Sequence, residues 1–182
     1  MKKFWRTLLI LIILIVLPAM TYVVMESSGA SITTSQEKVV YDLPYPGILP
    51  DHPLYFVKII RDRVTEFMTR ELIGKAQIYL LYSDKRVAMA MTLSKKGKSQ
   101  LAISTFSKGE KYFAKIPELL ITAKSQGSPA PSSFNETLKL ANAKHAELIG
   151  ELFKNTPEGQ QESLNQLLKL NLSIKKALET LP

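Results

Sequence analysis

Apolar residues recur at spacings of three and four along most of the chain after residue 53, which is the pattern of amphipathic helices. No segment alternates apolar and polar residues convincingly over a strand length, so the sequence predicts an all-α protein. Short turns divide the pattern into about five helices, which favours an antiparallel bundle around one core. The predicted helices span about 53–69, 72–95, 99–124, 132–155 and 157–181.

The apolar stripe of the first predicted helix indicates which side of that helix should face the core. Charged residues at i,i+4 spacing, such as Lys58 and Asp62, lie off the stripe and are expected on the solvent side. Asp51 is expected to cap this helix, with Pro53 in its first turn. The stripe expected to face inward consists of Val57, Ile60, Val64 and Phe67.

Glycine and proline positions predict where the later helices begin and end. Gly97 is expected to close the second helix in a left-handed conformation. Pro117 lies inside the third pattern, so a kink or break is expected near residue 116. Thr156 and Pro157 predict the cap and the first residue of the fifth helix. The inward face of the fourth helix is expected to hold Phe134, Leu138, Ala141, Leu148 and Leu152, with His145 at the edge of the core.

The first 30 residues carry a different pattern, a basic start followed by an apolar run. Lysines 2 and 3 and Arg6 precede residues 7–25, in which Pro18 and Thr21 are the only interruptions. A cleaved secretory signal ending at Ala30 and an uncleaved membrane anchor both fit residues 1–30. Either alternative predicts that the remainder of the chain lies outside the cytoplasmic membrane.

Two segments separate this N-terminal region from the helices. Residues 31–40 are polar and rich in Ser and Thr, and we interpret them as a flexible linker. Residues 41–53 contain four prolines, which disfavour both a helix and a central strand. We interpret 41–53 as an extended arm of a helical domain at 41–182, with Tyr41, Tyr45 and Leu49 available to pack on the helices.

Composition excludes several kinds of chemistry. The 182 residues include no cysteine and only two histidines, His52 and His145. This excludes disulfide scaffolds, thiolate zinc sites, iron–sulfur clusters and cysteine nucleophiles, and no cofactor or metal site is predicted. The formal net charge is +8, and a net +6 belongs to residues 31–182. That charge suits an anionic cell-wall polymer or lipid headgroups, whereas nucleic-acid binding is not expected, because no basic–aromatic motif is present.

The arm and the residues that follow it resemble a bacterial family. Residues 43–58, LPYPGILPDHPLYFVK, are similar to the opening of the bacterial domain-of-unknown-function family 5667, and Ile60-Arg61-Asp62-Arg63 continues the pattern. The resemblance is good over residues 41–112 and loose over the last two helices. It implies a signal or anchor followed by a helical exported region. The family has no established catalytic residues, so the resemblance implies no site.

Candidate sites in the sequence are few. Gly97-Lys98-Ser99 looks like the end of a phosphate-binding loop, but the glycine required five residues earlier is absent and the segment follows a helix. Small residues at 90, 97, 102 and 109 fit the spacing of a tetratricopeptide-like hairpin. The pattern occurs once, whereas such repeats need about three copies to bury a core. The residues predicted for an interaction surface are Tyr45, Tyr55, Phe56, Lys95, Lys96 and Lys98.

These observations favour a non-enzymatic helical module of the bacterial cell envelope, secreted or membrane-tethered, that binds a protein or an anionic wall polymer. An envelope enzyme using carboxylates is the alternative, and it requires two acidic side chains close together in a cleft. No acidic pair in the sequence stands in an apolar context. A tetratricopeptide-like interaction module and a membrane-anchored subunit of a complex are further alternatives, and an open apolar patch would favour the subunit.

Overall fold

The computed structural model describes residues 39–181, so the predicted signal or anchor and most of the predicted linker lie outside the described residues. Within that range the chain is helical and contains no strand, which confirms the all-α prediction. None of the helices found there combines the length and the apolar character needed to cross a membrane. The helices are α1 (Tyr55–Met68), α2 (Leu72–Lys95), α3 (Ser99–Phe113), α4 (Ile116–Ser125), α5 (Ser132–Lys154) and α6 (Gln161–Glu179), with a 3-10 turn at Glu158–Gln160 before α6.

The third predicted helix is in fact two helices, α3 and α4. The break falls between Phe113 and Ile116, where it was expected. Pro117 lies in the first turn of α4, where its missing N–H leaves no hydrogen bond unmade. Ile116 and Leu120 of α4 are both buried against the neighbouring helices.

Helices α2 and α3 form a closely packed antiparallel hairpin. Gly97 has a φ of +72°, as predicted, and two backbone hydrogen bonds close α2, from Gly97 N–H to Ser94 O (2.9 Å) and from Lys98 N–H to Leu93 O (3.0 Å). A Cβ atom on Gly109 would lie 3.0 Å from the backbone oxygen of Ser83. Of the small residues of the tetratricopeptide-like pattern, Ala90, Ala102 and Gly109 are therefore packed inside this hairpin, whereas Gly97 serves the turn.

The core consists of two apolar clusters arranged along the bundle. One cluster is built from residues 87–93 of α2, 102–106 of α3, 148–152 of α5 and 164–167 of α6, and Leu43 of the arm joins it. The second is built from residues 76–80, 113–120, 138–141 and 174–178. Between the two clusters each of these helices carries a buried polar residue, namely Asp84, Glu110, His145 and Asn171.

The predicted orientation of α1 was wrong. Asp62, expected at the solvent side, is the only buried residue of this helix. The stripe expected to face the core is exposed instead, and the exposed fraction reaches 86% at Phe67. The helix begins at Tyr55 without a side-chain cap, because Asp51 accepts a hydrogen bond from Lys98 Nζ (2.7 Å) and does not cap it.

Helices α5 and α6 follow the predicted faces closely. Leu138, Ala141, Leu148 and Leu152 are buried, and Phe134 is partly buried. The start of the fifth predicted helix was wrong in detail, because Pro157 precedes a 3-10 turn and Thr156 makes no capping bond. The buried residues of α6 include Leu164, Leu167, Ile174 and Leu178, while Leu168 and Leu181 are partly buried.

Candidate functional site

A buried histidine occupies the centre of the polar layer between the two apolar clusters. His145 of α5 has no exposed surface. Its Nδ1 lies 2.6 Å from Oε1 of Glu110 on α3, and its Nε2 lies 3.0 Å from Oδ1 of Asp84 on α2. A pKa of His145 raised to about 9 makes the ring an imidazolium at neutral pH, in which both nitrogens donate to these carboxyl oxygens.

The two carboxylates have a further donor on each outer oxygen. Tyr41 of the arm donates its hydroxyl to Oδ2 of Asp84 at 2.6 Å. Asn171 of α6 donates its side-chain amide to Oε2 of Glu110 at 3.2 Å. The amides of Asn171 and Asn142 also donate to each other's backbone carbonyl oxygens, both at 3.2 Å. The layer therefore links the arm and four helices through charge-assisted hydrogen bonds, as buried polar groups require.

Aromatic rings exclude water from the histidine. The ring centroids of Phe106 and Phe113 lie 6.0 and 5.5 Å from the imidazole centroid of His145, and both ring planes are nearly perpendicular to it. Both phenylalanines are fully buried. The imidazolium is therefore held in a dry environment, in which its attraction to the two carboxylates is stronger than in water.

The charges in the layer explain its protonation state. Burial by itself lowers the pKa of His145, but the negative charge of Glu110 and the hydrogen bonds that the ring makes to Asp84 and Glu110 raise it from 6.5 to about 9. Burial, followed by the charge of Asp84, raises the pKa of Tyr41 well above its ordinary value. At neutral pH the layer therefore contains an imidazolium and a neutral phenol.

This arrangement suits a structural role better than chemistry on a substrate. His145 and Glu110 are fully buried and Asp84 is 4% exposed, so a substrate has no path to them in this conformation. Within residues 39–181 no three histidine or carboxylate side chains are arranged to hold a metal ion. In the polar layer itself, both imidazole nitrogens are already used by the carboxylates.

Sequence reasoning missed this layer. His145 lies at the centre of the core and not at its edge, and Asp84 with Glu110 is an acidic pair in an apolar setting. The sequence does contain an indication of this layer, because each of these residues lies within the apolar stripe of its helix. Glu110 follows Phe106 by four residues and precedes Phe113 by three, which is the spacing of a core position.

The second candidate region is the interface between α1 and α2, which is polar. Tyr82 of α2 donates its hydroxyl to the backbone oxygen of Asp62 (3.1 Å), and Tyr79 donates to Oε1 of Glu66 (2.7 Å). The Asp62 carboxylate also forms an ion pair with Arg61 at 2.8 Å. Burial lowers the pKa of Lys58 to about 8, although the charge of Asp62 opposes this. Helix α1 is thus attached to the bundle through its polar side.

Basic residues stack on the tyrosines next to this interface. The guanidinium of Arg86 lies 4.4 Å from the ring centroid of Tyr112. The ammonium of Lys115 lies 5.1 Å from the same ring and 5.1 Å from that of Tyr79. Such cation–π contacts stabilise positive charge at a partly buried position, and they account for the basic residues found among aromatic ones here.

The side of α1 that points away from the bundle is entirely apolar, and we call it the outer face. Its side chains range from 45% to 86% exposed. A contiguous apolar surface of this kind is uncommon on a folded domain. The outer face consists of Phe56, Val57, Ile60, Val64, Phe67 and Met68.

The structure separates the aromatic residues predicted for the interaction surface. Phe56 belongs to the outer face and is 58% exposed. Tyr55 is half-buried at the start of α1, and burial raises its pKa despite the opposing charge of Arg86. Tyr45 lies on the arm and is exposed. Sequence reasoning thus identified one member of the outer face, and it assigned four others to the core.

The predicted lysine cluster lies at a different place, the loop between α2 and α3. Lys98 and Lys96 contact the carboxylate of Asp51 at 2.7 and 3.9 Å, and Lys98 in particular lowers the pKa of that group. Lys95 is exposed at the end of α2. Two of the three lysines therefore hold the arm against this loop.

Comparisons with known proteins place the chain in a family. No curated protein matches it, and no solved structure matches it. A family model described as a domain of unknown function, DUF5667, matches residues 47–181, which include the end of the arm and all six helices. The matched segment covers most of the chain, and we conclude that the chain belongs to the DUF5667 family.

Proposed function

We propose that this chain is an exported or membrane-tethered module of the bacterial cell envelope that works by binding and not by catalysis. The outer face of α1 is the proposed binding surface. The observation that carries the proposal is the orientation of α1, whose polar side contacts the bundle while its apolar side is exposed. An apolar surface that the fold itself leaves open favours a partner that covers it.

The buried carboxylate pair is the feature that an enzyme could have used. Asp84 and Glu110 both bind His145 and have further donors on their outer oxygens. All four carboxyl oxygens therefore have a partner within the protein. This supports a structural role for the pair and a non-catalytic role for the domain.

The outer face also favours one kind of partner over another. A wall polymer is polar and charged, and it would be bound by exposed cations. Lys96 and Lys98 are instead neutralised in part by Asp51. A partner with an apolar surface, such as a protein or a membrane, suits the outer face better.

The proposal is tested in cells that produce the full chain. A photoreactive amino acid is introduced at Phe67, and in matched control strains at Leu140 or Leu172, which are exposed leucines on α5 and α6. We expect an adduct at position 67, to one identified protein or to lipid, that is missing at positions 140 and 172. Equal adducts at all three positions would contradict a binding role for the outer face.

Location is tested separately with a single cysteine, because the natural chain contains none. A membrane-impermeant maleimide should label Leu140→Cys in spheroplasts, whose cytoplasmic membrane is intact. Labelling that requires lysis of the cells would overturn export. The mass of the labelled chain shows whether residues 1–30 have been removed.

A further inference from the structure

We propose that the outer face of α1 inserts into the headgroup region of an anionic membrane as an interfacial amphipathic helix. This inference rests on the proposed function, because it names the partner of the same surface. Such helices lie in the plane of the membrane, with an apolar side among the acyl chains and basic residues at its borders.

The breadth of the apolar surface fits a membrane better than a helix–helix contact. Successive residues of an α-helix are about 100° apart, so the six side chains of the outer face cover an arc of about 120° without a polar interruption. A pair of helices needs only a narrow apolar stripe. A flat lipid surface, in contrast, can cover the whole arc at once.

Charge supports an anionic membrane. Arg63 and Arg61 lie at the two borders of the outer face. The Arg63 side chain is 69% exposed and lies 3.7 Å from Glu66, whereas the Arg61 side chain is 26% exposed and pairs with Asp62 at 2.8 Å. The two acidic residues of α1, Asp62 and Glu66, point to the bundle, where their side chains are 5% and 16% exposed. Arg70 follows the helix and is exposed. The exposed side of α1 thus combines apolar and basic groups, which complement lipid tails and anionic headgroups.

The length of the chain before the described residues allows this contact. The predicted signal or anchor run ends at Met25, and the linker residue Val39 is held against the bundle, because its N–H donates to Glu147. The intervening stretch of about 13 residues can span at most about 45 Å. A domain of about 140 residues has a radius of gyration of about 14 Å, so a tether of this length lets the outer face reach the membrane that holds the tether.

A second copy of the chain is a weaker occupant. Helix α1 has 14 residues, so its face is about 21 Å long and about 10 Å wide, a footprint of roughly 200 Å². A specific protein interface takes about 800 Å² per partner. Pairing of two outer faces alone would therefore fall short of a stable dimer.

The test uses the full chain reconstituted in vesicles of phosphatidylglycerol and phosphatidylethanolamine. Because the chain has no cysteine, the variants Phe67→Cys, Leu140→Cys and Leu172→Cys each carry one environment-sensitive fluorophore. Quenching by spin-labelled lipid then reports contact with the bilayer. We expect strong quenching at position 67, none above background at positions 140 and 172, and a loss of quenching at 67 in vesicles of phosphatidylcholine alone.

Each other outcome overturns the inference in a distinct way. Equal quenching at all three positions indicates that α1 has no preference for the membrane, and equal quenching at 67 in neutral vesicles removes the role of charge. Fluorescence transfer between copies, without lipid quenching, identifies a dimer. If position 67 crosslinks to a protein in cells and is not quenched by lipid, the lipid inference fails while the proposed binding function stands. Absence of both signals ends both proposals.

Discussion

The polar layer makes the stability of this domain depend on pH, through His145. The pKa of His145 is about 9 in the folded protein, compared with 6.5 for an ordinary histidine side chain. The folded state therefore holds this proton more tightly than the unfolded state does. The resulting stabilisation is complete below pH 6.5 and is lost as the pH rises through 9.

The size of the effect follows from the shift in pKa. One pKa unit corresponds to 1.36 kcal/mol, so a change from 6.5 to about 9 corresponds to about 3 kcal/mol of folding free energy. Stabilities of single domains are about 5–15 kcal/mol, so this is a large fraction of the total. The loss reflects the carboxylates Asp84 and Glu110, which would face an uncharged imidazole at high pH.

The assay is urea unfolding followed by circular dichroism between pH 6 and pH 9.5. His145→Gln is the matched control, because glutamine keeps a donor and does not titrate. Lys58 titrates in the same range with the opposite sign, since its folded pKa of about 8 lies below 10.5 and its penalty disappears as the pH rises. The difference between wild type and His145→Gln removes that contribution.

We expect the advantage of wild type over His145→Gln to shrink by about 3 kcal/mol between pH 6.5 and 9.5. His145→Gln should also be less stable than wild type at pH 6.5, because the buried carboxylates lose their cation. If the two proteins respond equally to pH, the imidazolium described above is refuted.

Five further substitutions test particular contacts. Glu110→Gln should cost about 3 kcal/mol in thermal unfolding, because it breaks a buried charge pair, and a cost below 1 kcal/mol would contradict that pairing. Gly109→Ala should lower the free energy of unfolding by about 1–3 kcal/mol, because its Cβ would contact α2. Gly150→Ala has open space around its Cβ and should raise the same free energy by up to about 1 kcal/mol. A gain in stability for both variants would argue against the close hairpin. Phe67→Ser should change the free energy of unfolding by less than about 0.5 kcal/mol, and a loss near 3 kcal/mol would mean that the outer face is turned inward. Tyr41→Phe should lower urea stability by about 1–3 kcal/mol by removing the donor to Asp84, and an unchanged value would exclude a role for the arm in the layer.

The helix positions were largely predictable, because local signals determine them. The bounds of α2 agree with the prediction at both residues, Leu72 and Lys95. Gly97 and Pro117 mark the following turn and the later break as expected. These residues act through their own backbone geometry, so no knowledge of distant partners is needed.

The orientation of α1 could not be obtained in the same way. Periodicity shows that this helix has one apolar side, but the inference that this side faces inward assumes that water covers the other. Here the polar side is bonded to Tyr79 and Tyr82 of the next helix. Those partners provide hydroxyl donors that the sequence pattern of α1 alone does not reveal.

The polar layer was missed for a related reason. Asp84, Glu110 and His145 each occupy a core position of their own helix, which the stripes indicate. Their mutual distances depend on how the helices slide and rotate relative to one another. That register comes from packing of the whole bundle, so the stripe of each helix can indicate its own core positions but not the ion cluster that these positions form together.

The same layer has a consequence for how the chain folds. The α2–α3 hairpin is local in sequence and is expected to form early, yet it brings Asp84 and Glu110 to one side of the hairpin before α5 supplies His145. Two carboxylates that approach a dry interior without a cation repel each other. A partly folded bundle that lacks α5 is therefore energetically unfavourable. Folding should proceed as one concerted transition, in which α5 docks as the pair becomes buried and His145 neutralises it. Partly folded forms should therefore be rare.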